Sequence, residues 1–186
     1  MLILNFTPFP QIVTNRLCLR KISHEDVNEV FFFRSDEQVM KYIDRPKVKD
    51  KEEATAWIEM ILEAEQKNES VNWVISLINS TKMIGNICFW RIIKEHYRAE
   101  IGYTLHPNYQ RKGLMQEALV AVLNFGFTTM QLHSVEAKIN PFNISSQNLL
   151  ERNHFVREAY FKEDYFFDRK FLDTAVYSLL SSSFKK

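Results

Sequence analysis

Cysteine is scarce in this chain: Cys18 and Cys88 are the only two among 186 residues. That is too few for a disulfide framework, each lies in an apolar run that reads as a strand, and neither stands near a histidine at a ligand spacing. The expectation is two buried thiols in a reducing compartment and no metal site. Glycine is almost as scarce, with Gly85, Gly102, Gly113 and Gly126 alone. The glycine-rich phosphate loops of the Rossmann and Walker types need several glycines close together, so both are excluded. An excess of one charge is also missing. Lys and Arg number 24 against 23 Asp and Glu, a formal net charge of +1, and nothing global draws the chain to nucleic acid or to an anionic membrane. No apolar run reaches the length of a membrane span. The apolar start, Met1 to Pro10, lacks a basic leader region and a small-residue cleavage site, and its prolines interrupt it early. A cytoplasmic location follows as the expectation.

What the chain does have is apolar bulk. Hydrophobic residues make up 46% and aromatics 13%, including 15 Phe, enough for a large core without metal or disulfide support. No repeat, low-complexity tract or linker divides it, so residues 1–186 read as a single domain, with 181–186 as a frayed polar tail.

Periodicity then supplies the elements. Arg16 to Arg20 alternates like a half-buried strand, and Ser23 to Asp26 reads as a capping box opening a helix toward Phe33. Ser35-Asp36 starts a short helical piece, and Asp50 with Glu53 caps a longer helix bearing Ala54, Trp57, Ile58, Ile61 and Leu62. Three strands follow, 71–78, 83–92 and 98–105, with 79–82 as the first turn, which makes an antiparallel meander. A helix over 113–130 and a strand over 135–139 add a parallel crossover. A short helix from Ser145 or Ser146 through Leu150 and two strands, 155–160 and 174–180, complete a mixed α/β layer fold. Capping is the ordinary role of Ser145 or Ser146 there. Phe31 to Phe33 is apolar on every side; it reads as dense core or as the lining of an acceptor cleft. The histidines His24, His96, His106 and His133 read as ordinary surface or core residues.

The chemistry concentrates at Tyr109-Gln-Arg-Lys-Gly-Leu-Met115, between a strand and the long helix. Gly113 permits a positive φ that aims consecutive backbone N–H groups into one concavity, and such groups at a helix N-terminus bind phosphate. Arg111 and Lys112 add positive charge. The bland alternative is a solvated basic turn. Upstream, the strand Ala99 to Leu105 ends at His106-Pro107, and the proline denies one ladder hydrogen bond beside that loop.

These residues resemble the GNAT acetyltransferase superfamily, whose acetyl-CoA loop is matched by Gln110, Arg111, Lys112, Gly113 and Leu114, with Met115 closing it. Met115 departs from the small residue usual at its place. The resemblance extends over nearly the whole chain and is nearest the branch of ribosomal-protein alanine and serine N-acetyltransferases, through Thr14 to Arg20, Ile84-Gly85, Glu100 to Tyr103, Leu132 to Glu136 and Tyr177 to Leu180. A second motif is matched by Asn143-Ile-Ser-Ser146 and by Asn153-His-Phe155, with His154 in place of the usual glycine.

The resemblance implies an α/β fold with a mixed, mostly antiparallel twisted sheet, flanking helices and a central splayed strand pair at the acetyl-CoA site. It implies acetyl-CoA as co-substrate, bound by Gln110 to Met115, with Asn143 and Ser146 beside the pantetheine arm and sulfur. An α-amine with pKa near ~8 is partly neutral at pH 7, whereas a lysine amine near ~10.4 is almost wholly charged, so a base helps the second more. Glu100 is the candidate base, acting through water; the bland alternative is a strand carboxylate facing solvent or an arginine. The backbone N–H near Leu105 would hold the oxyanion. The tyrosine that relatives use to protonate the thiolate falls at Leu150, which leaves Ser146 as the candidate acid. Direct attack by an amine, foremost the N-terminal amine of a protein such as a ribosomal protein, is the leading function. A small amine (polyamine, amino acid or aminoglycoside) and a silent acyl-CoA-binding module are the alternatives. No nucleic acid or membrane partner is expected, and the aromatic cluster from Phe161 to Phe171 suits a homodimer.

Overall fold

Strand pairing follows the order of the chain almost throughout. In the computed structural model, which describes residues 1–184, eight strands form one sheet. They are β1 (Ile12–Val13), β2 (Leu17–Lys21), β3 (Val71–Leu77), β4 (Gly85–Ile93), β5 (Arg98–Leu105), β6 (Ser134–Ile139), β7 (Val156–Phe167) and β8 (Lys170–Leu180). Their order is β1-β2-β3-β4-β5-β6-β8-β7, antiparallel at every neighbour except β5 and β6. Helices α1 (Val27–Ser35), α2 (Glu37–Met40) and α3 (Lys51–Gln66) join β2 to β3. Helix α4 (Leu114–Thr128) makes the crossover from β5 to β6, and α5 (Ile144–Arg152) precedes β7.

Side chains of the central strands alternate between two apolar layers, as the pleat requires. Trp73, Ile75, Ile87 and Phe89 pack with Leu119, Val122 and Leu123 of α4 and Leu150 of α5. Between Trp73 and Ile75, Val74 points the other way, to Ile22, Phe33, Ala54 and Ile58 under α1 and α3. The helix starts obey local chemistry. Asp36 accepts from the Val39 N–H, and Asp50 accepts from the Glu53 N–H while the Glu53 carboxylate accepts from Lys49. Before α1 the Ser23–Asp26 segment forms a turn of 3-10 helix, in which Asp26 accepts from the Ser23 N–H.

Several expectations are corrected. β3 stops at Leu77 and β4 starts only at Gly85, so the turn is longer than 79–82. The last two strands are far longer than expected, because charged residues from Lys162 to Lys170 hide a hairpin that lies outside the core and shows little burial alternation. Asp168 and Arg169, both at positive φ, close it with the backbone twist that two-residue hairpins favour. The N-terminus is packed, with Leu2 and Phe6 buried, and Ile12–Val13 adds an unexpected edge strand. Residues 181–183 form a 3-10 turn and Phe184 packs on Phe127, so that part of the tail is ordered; 185 and 186 lie outside the described residues. Cys18 and Cys88 lie on β2 and β4, unpaired and partly rather than fully buried.

One departure from regular pairing creates the site. β5 and β6 pair only over Arg98–Glu100 and Ser134–Glu136. Beyond that point β5 stays with β4 to Leu105, and β6 stays with β8 to Ile139, so the strands diverge and open the sheet.

Candidate active site

At one end of the opening stands the loop before α4. Gly113, at φ +73°, is the residue preceding the helix, and no side chain caps it. The first N–H groups of α4 have no partner within the helix, so their positive end is left to an anion. Arg111 is also at positive φ, 59°, which turns the loop sharply. Gln110 Nε2 donates to the Leu105 carbonyl at 3.0 Å and ties the loop to the end of β5. Lys112 rests its ammonium 5.6 Å from the Tyr109 ring centroid. Leu114 is buried, and Met115 packs partly buried against the core beneath it.

A strut that the sequence reading did not assign holds this loop from below. Glu117 in the first turn of α4 accepts from Thr14 Oγ1 at 2.6 Å, from the Arg16 N–H at 2.9 Å and from Arg16 Nε at 2.6 Å. Arg16 Nη1 in turn donates to the Lys112 carbonyl at 2.9 Å. Burial pushes the Glu117 carboxyl up, but the hydrogen bonds from Thr14 and Arg16 outweigh it and hold the group below its ordinary range. An acid one turn into a helix was the available signal, and its partners 100 residues away were not.

Along the opening, β5 presents two sets of side chains. Glu100, Gly102 and Thr104 alternate with Ile101, Tyr103 and Leu105, and the second set shares its face with α4 and α5. The His106 N–H donates to the Ile84 carbonyl, so the alternation of an antiparallel ladder makes Leu105 and Gly85 a non-hydrogen-bonded pair. The Leu105 N–H therefore points away from β4, toward the opening.

Glu100 is buried, 7% exposed, and lines the cleft. It also meets an arginine: Arg91 Nη1 donates to Oε2 at 3.2 Å. A bulge in β4 aims that arginine, since the register shifts between Trp90 and Ile93 and Arg91 sits at φ +45°. Burial raises the Glu100 carboxyl above its ordinary pKa against the pull of Arg91 and Lys138. Neither sequence alternative alone describes it: it is an arginine partner inside the cleft.

On the other face, Ser146 and Tyr103 share a hydrogen bond of 2.6 Å. Burial pushes the Tyr103 hydroxyl up to about 12. The place that the resemblance gives to a tyrosine holds Leu150, wholly buried in the core; a phenol beside Ser146 comes instead from Tyr103 on β5, which the sequence reading did not assign. Capping by Ser145 or Ser146 is likewise corrected. Asn143 caps α5, accepting from the Ser146 N–H at 3.1 Å, which leaves the Ser146 hydroxyl free for Tyr103. His154, at φ +65°, occupies a left-handed position after α5 that favours the glycine usual there.

Glu100, Arg91, Tyr103, Asn143 and Ser146 line one cleft of about 710 Å³; Leu105 and the Gly113 loop lie beyond its lining, at the far end of β5. Phe33, Trp57, Trp90 and Tyr165 supply its aromatic walls, with Arg34, Arg45 and Asp44 between them. Phe33 is thus both core and lining, while Phe32 stacks on His106 with ring centroids 4.7 Å apart. Among the described residues no group of three His, Cys, Asp or Glu side chains is arranged to hold a metal ion.

The family described as acetyltransferase (GNAT) domain matches residues 16–156. The uncharacterized N-acetyltransferase p20 of Bacillus licheniformis is 31% identical over 173 residues, 93% of this chain and 97% of that protein. The Escherichia coli [ribosomal protein uS5]-alanine N-acetyltransferase is 33% identical over 72 residues, 38% of this chain and 37% of its own length. Among solved structures, a GNAT-family acetyltransferase from Bacillus anthracis superposes with a TM-score of 0.81 at 31% identity, covering 92% of this chain and 99% of its own. The spermidine N-acetyltransferase of Vibrio cholerae, solved with CoA and spermine, shares the fold with a TM-score of 0.81 at 21% identity, covering 91% of this chain and 98% of its own. The loop, the divergent strands and these likenesses agree: the chain belongs to the GNAT acetyltransferase family.

Proposed function

We propose that this protein transfers an acetyl group from acetyl-CoA to the N-terminal amine of a protein, such as a ribosomal protein, by direct attack. The observation that carries the proposal is the opening between β5 and β6, where Glu100 and the Tyr103–Ser146 pair line one cleft and β5 runs on to Leu105, to which Gln110 ties the Gly113 loop. The uncapped N-terminus of α4 and the positive φ of Gly113 fit a pyrophosphate, with Gln110 to Met115 forming its cradle. Acetyl-CoA supplies the activated acyl carbon when bound. Glu100 receives the proton shed by the attacking amine, through water, and its raised pKa makes it a stronger base than an exposed glutamate. The Leu105 N–H meets the negative charge that grows on the thioester oxygen. Asn143 and Ser146 would hold the pantetheine arm, and the hydrogen-bonded Tyr103–Ser146 pair would offer a hydrogen bond to the departing sulfur. Similarity to the uS5-alanine enzyme over part of the chain favours a protein N-terminus over a small amine. The test is thiol release from acetyl-CoA with N-terminal peptides and small amines side by side. Release only with small amines overturns the acceptor, and release with none supports a silent acyl-CoA-binding module.

The proposal extends to setting and assembly. The free thiols Cys18 and Cys88 suit a cytoplasmic location, and residues 1–186 act as one domain. Exposed Phe161, Tyr165, Phe166 and Phe171 on the β7–β8 hairpin suit a homodimer. Light scattering at micromolar protein checks it, and a monomer mass that ignores concentration overturns it.

A further inference from the structure

The acceptor half of the cleft holds positive charge that the chain itself leaves unanswered. Arg34 from α1 and Arg45 from the loop after α2 both line it. Rings hold them in place: the Arg34 guanidinium carbon is 5.8 Å from the Trp57 centroid, and that of Arg45 is 4.7 Å from the Trp90 centroid. Among the described residues no carboxylate lies within ion-pairing distance of either. Arg34 Nε is buried without a hydrogen-bond partner. Burial first, and the neighbouring charge of Arg45 second, hold the Arg34 guanidinium below its ordinary pKa.

The acids of the cleft do not cancel this charge. Glu100 is engaged by Arg91, and Asp173 accepts from the Tyr160 hydroxyl and the Glu163 N–H. Asp44 also lines the cleft, its carboxyl raised above its ordinary range by burial, but it makes no ion pair with either arginine. Glu69 and Asp164 stand exposed at the rim. The cations of the cleft left without an ionic partner are therefore two guanidiniums, Arg34 partly buried and Arg45 exposed. A ligand that brings an anion relieves the lost solvation of Arg34, and the planar fork of an arginine favours a carboxylate. A polycation would add like charge to a pair that already repels.

We propose that the acceptor is an amine that also carries a carboxylate, which Arg34 and Arg45 hold while the amine faces Glu100. This rests on the N-acetyltransferase reading above and narrows it. The carboxylate belongs either to an acidic side chain next to a peptide N-terminus or to a free amino acid, and the shared chemistry is an amine plus a carboxylate.

The test uses the full chain saturated with CoA, so that no transfer occurs. Tryptophan fluorescence, to which Trp57 and Trp90 contribute beside the arginines, is read during titration with Ser-Glu-amide, its isostere Ser-Gln-amide, free glutamate and spermidine. The expected result is binding of Ser-Glu-amide or glutamate at least ~10-fold tighter than Ser-Gln-amide, as a charge-assisted bidentate contact gives. Whichever of the first two binds better identifies the source. The preference should fall toward unity in Arg34→Gln and in Arg45→Gln; Arg45 is exposed, so its variant tests the site without endangering the fold. The same preference should appear in kcat/KM for thiol release from acetyl-CoA. Equal binding of the two peptides, tighter binding of spermidine, no response to any ligand, or a preference that survives both substitutions overturns the proposal. Carboxylate-selective binding without thiol release from any amine upholds the arginine site and removes the transferase reading instead.

Discussion

The two halves of the proposed site are built in opposite ways. The proposed cofactor half is a short, continuous run, Leu105 to Met115, that offers mainly backbone: a strand end, two positive-φ turns and a helix start, locked by Gln110 and the Arg16–Glu117 strut. The proposed acceptor half is assembled from side chains on α1, α3, β3, β4, β5, β6 and the terminal hairpin, and two of its polar atoms, Arg34 Nε and Asn72 Oδ1, lack partners. A half that binds one constant molecule can be fixed by backbone geometry. A half that chooses the acceptor is free to vary, and its unsatisfied groups mark where a ligand completes it.

The largest expected effect breaks the chemical link between the halves. Glu100→Gln keeps the shape and removes the base, so kcat/KM should fall by ~10²-fold or more in thiol-release assays. Stability should move the other way. Burial raises the Glu100 pKa in the folded state, so the folded protein binds the proton more readily than the unfolded chain does. The stability tied to this carboxyl is then present below its unfolded pKa and lost as pH rises through the raised folded value. Thermal melts of Glu100→Gln against wild type should therefore diverge in favour of the variant as pH rises past that window. Lower activity with lower stability at all pH values would mark Glu100 as a structural ion-pair partner of Arg91 instead.

How much of this was legible in the sequence follows the same division. The loop could be read because local rules write it: a proline-broken strand, one glycine at the turn and an amphipathic helix. The sheet could be read from alternation and short connections, and the crossover from strand, helix, strand order. The terminal hairpin could not, because its residues 161–173 are held by backbone pairing outside the core and carry no burial pattern. Tyr103 was overlooked because its partnership with Ser146 spans 43 residues and depends on how β5 and α5 pack. Arg34 and Arg45 carry no sequence signal of their own, and only the folded cleft brings them together with no acid paired to either.

Gly113→Val attacks the cofactor half. At φ +73° a β-branched side chain is strained, and its Cβ would lie 3.4 Å from Arg16 Nη2. Affinity for CoA, measured by calorimetry, should drop by about 100-fold while the melting temperature falls only modestly, since the loop lies at the surface. Unchanged CoA affinity in a folded variant would remove the phosphate cradle from this loop.

Loosening the strut should do less. Glu117→Gln removes the charge that gathers Thr14 and Arg16, and one charge-assisted contact is worth roughly a tenfold change. The expected signature is a raised KM for acetyl-CoA with kcat nearly unchanged, because the strut positions the loop and touches no reacting atom. Arg91→Gln sharpens the acceptor side by a comparable amount. Arg91 pulls the Glu100 pKa down against burial, so its loss should push the acid limb of the pH–rate profile to higher pH, costing activity near pH 6 and little near pH 9. An unmoved limb would assign it to another group.

The smallest effect is expected at the phenol. Tyr103, pushed up to about 12 by burial, stays protonated across the working range and always has a proton to share with Ser146. A departing thiolate with the basicity of an ordinary thiol, near ~8.5, is weaker than that phenolate by roughly 3.5 pH units, so complete transfer from Tyr103 would be uphill by about 5 kcal/mol. The phenol can therefore stabilise the leaving sulfur by a hydrogen bond, directly or through Ser146, without surrendering its proton. Tyr103→Phe should lower kcat only several-fold, with no change in the shape of the basic limb. Ser146→Ala should act alike, and because Asn143 caps α5 through the Ser146 backbone, it should leave the melting temperature nearly unchanged. The double variant should be scarcely worse than either single one, since the two hydroxyls act as one relay. A loss of ~10³-fold in Tyr103→Phe would contradict this, and would make proton delivery to the sulfur, in place of deprotonation at Glu100, the step on which the two halves of the proposed site depend.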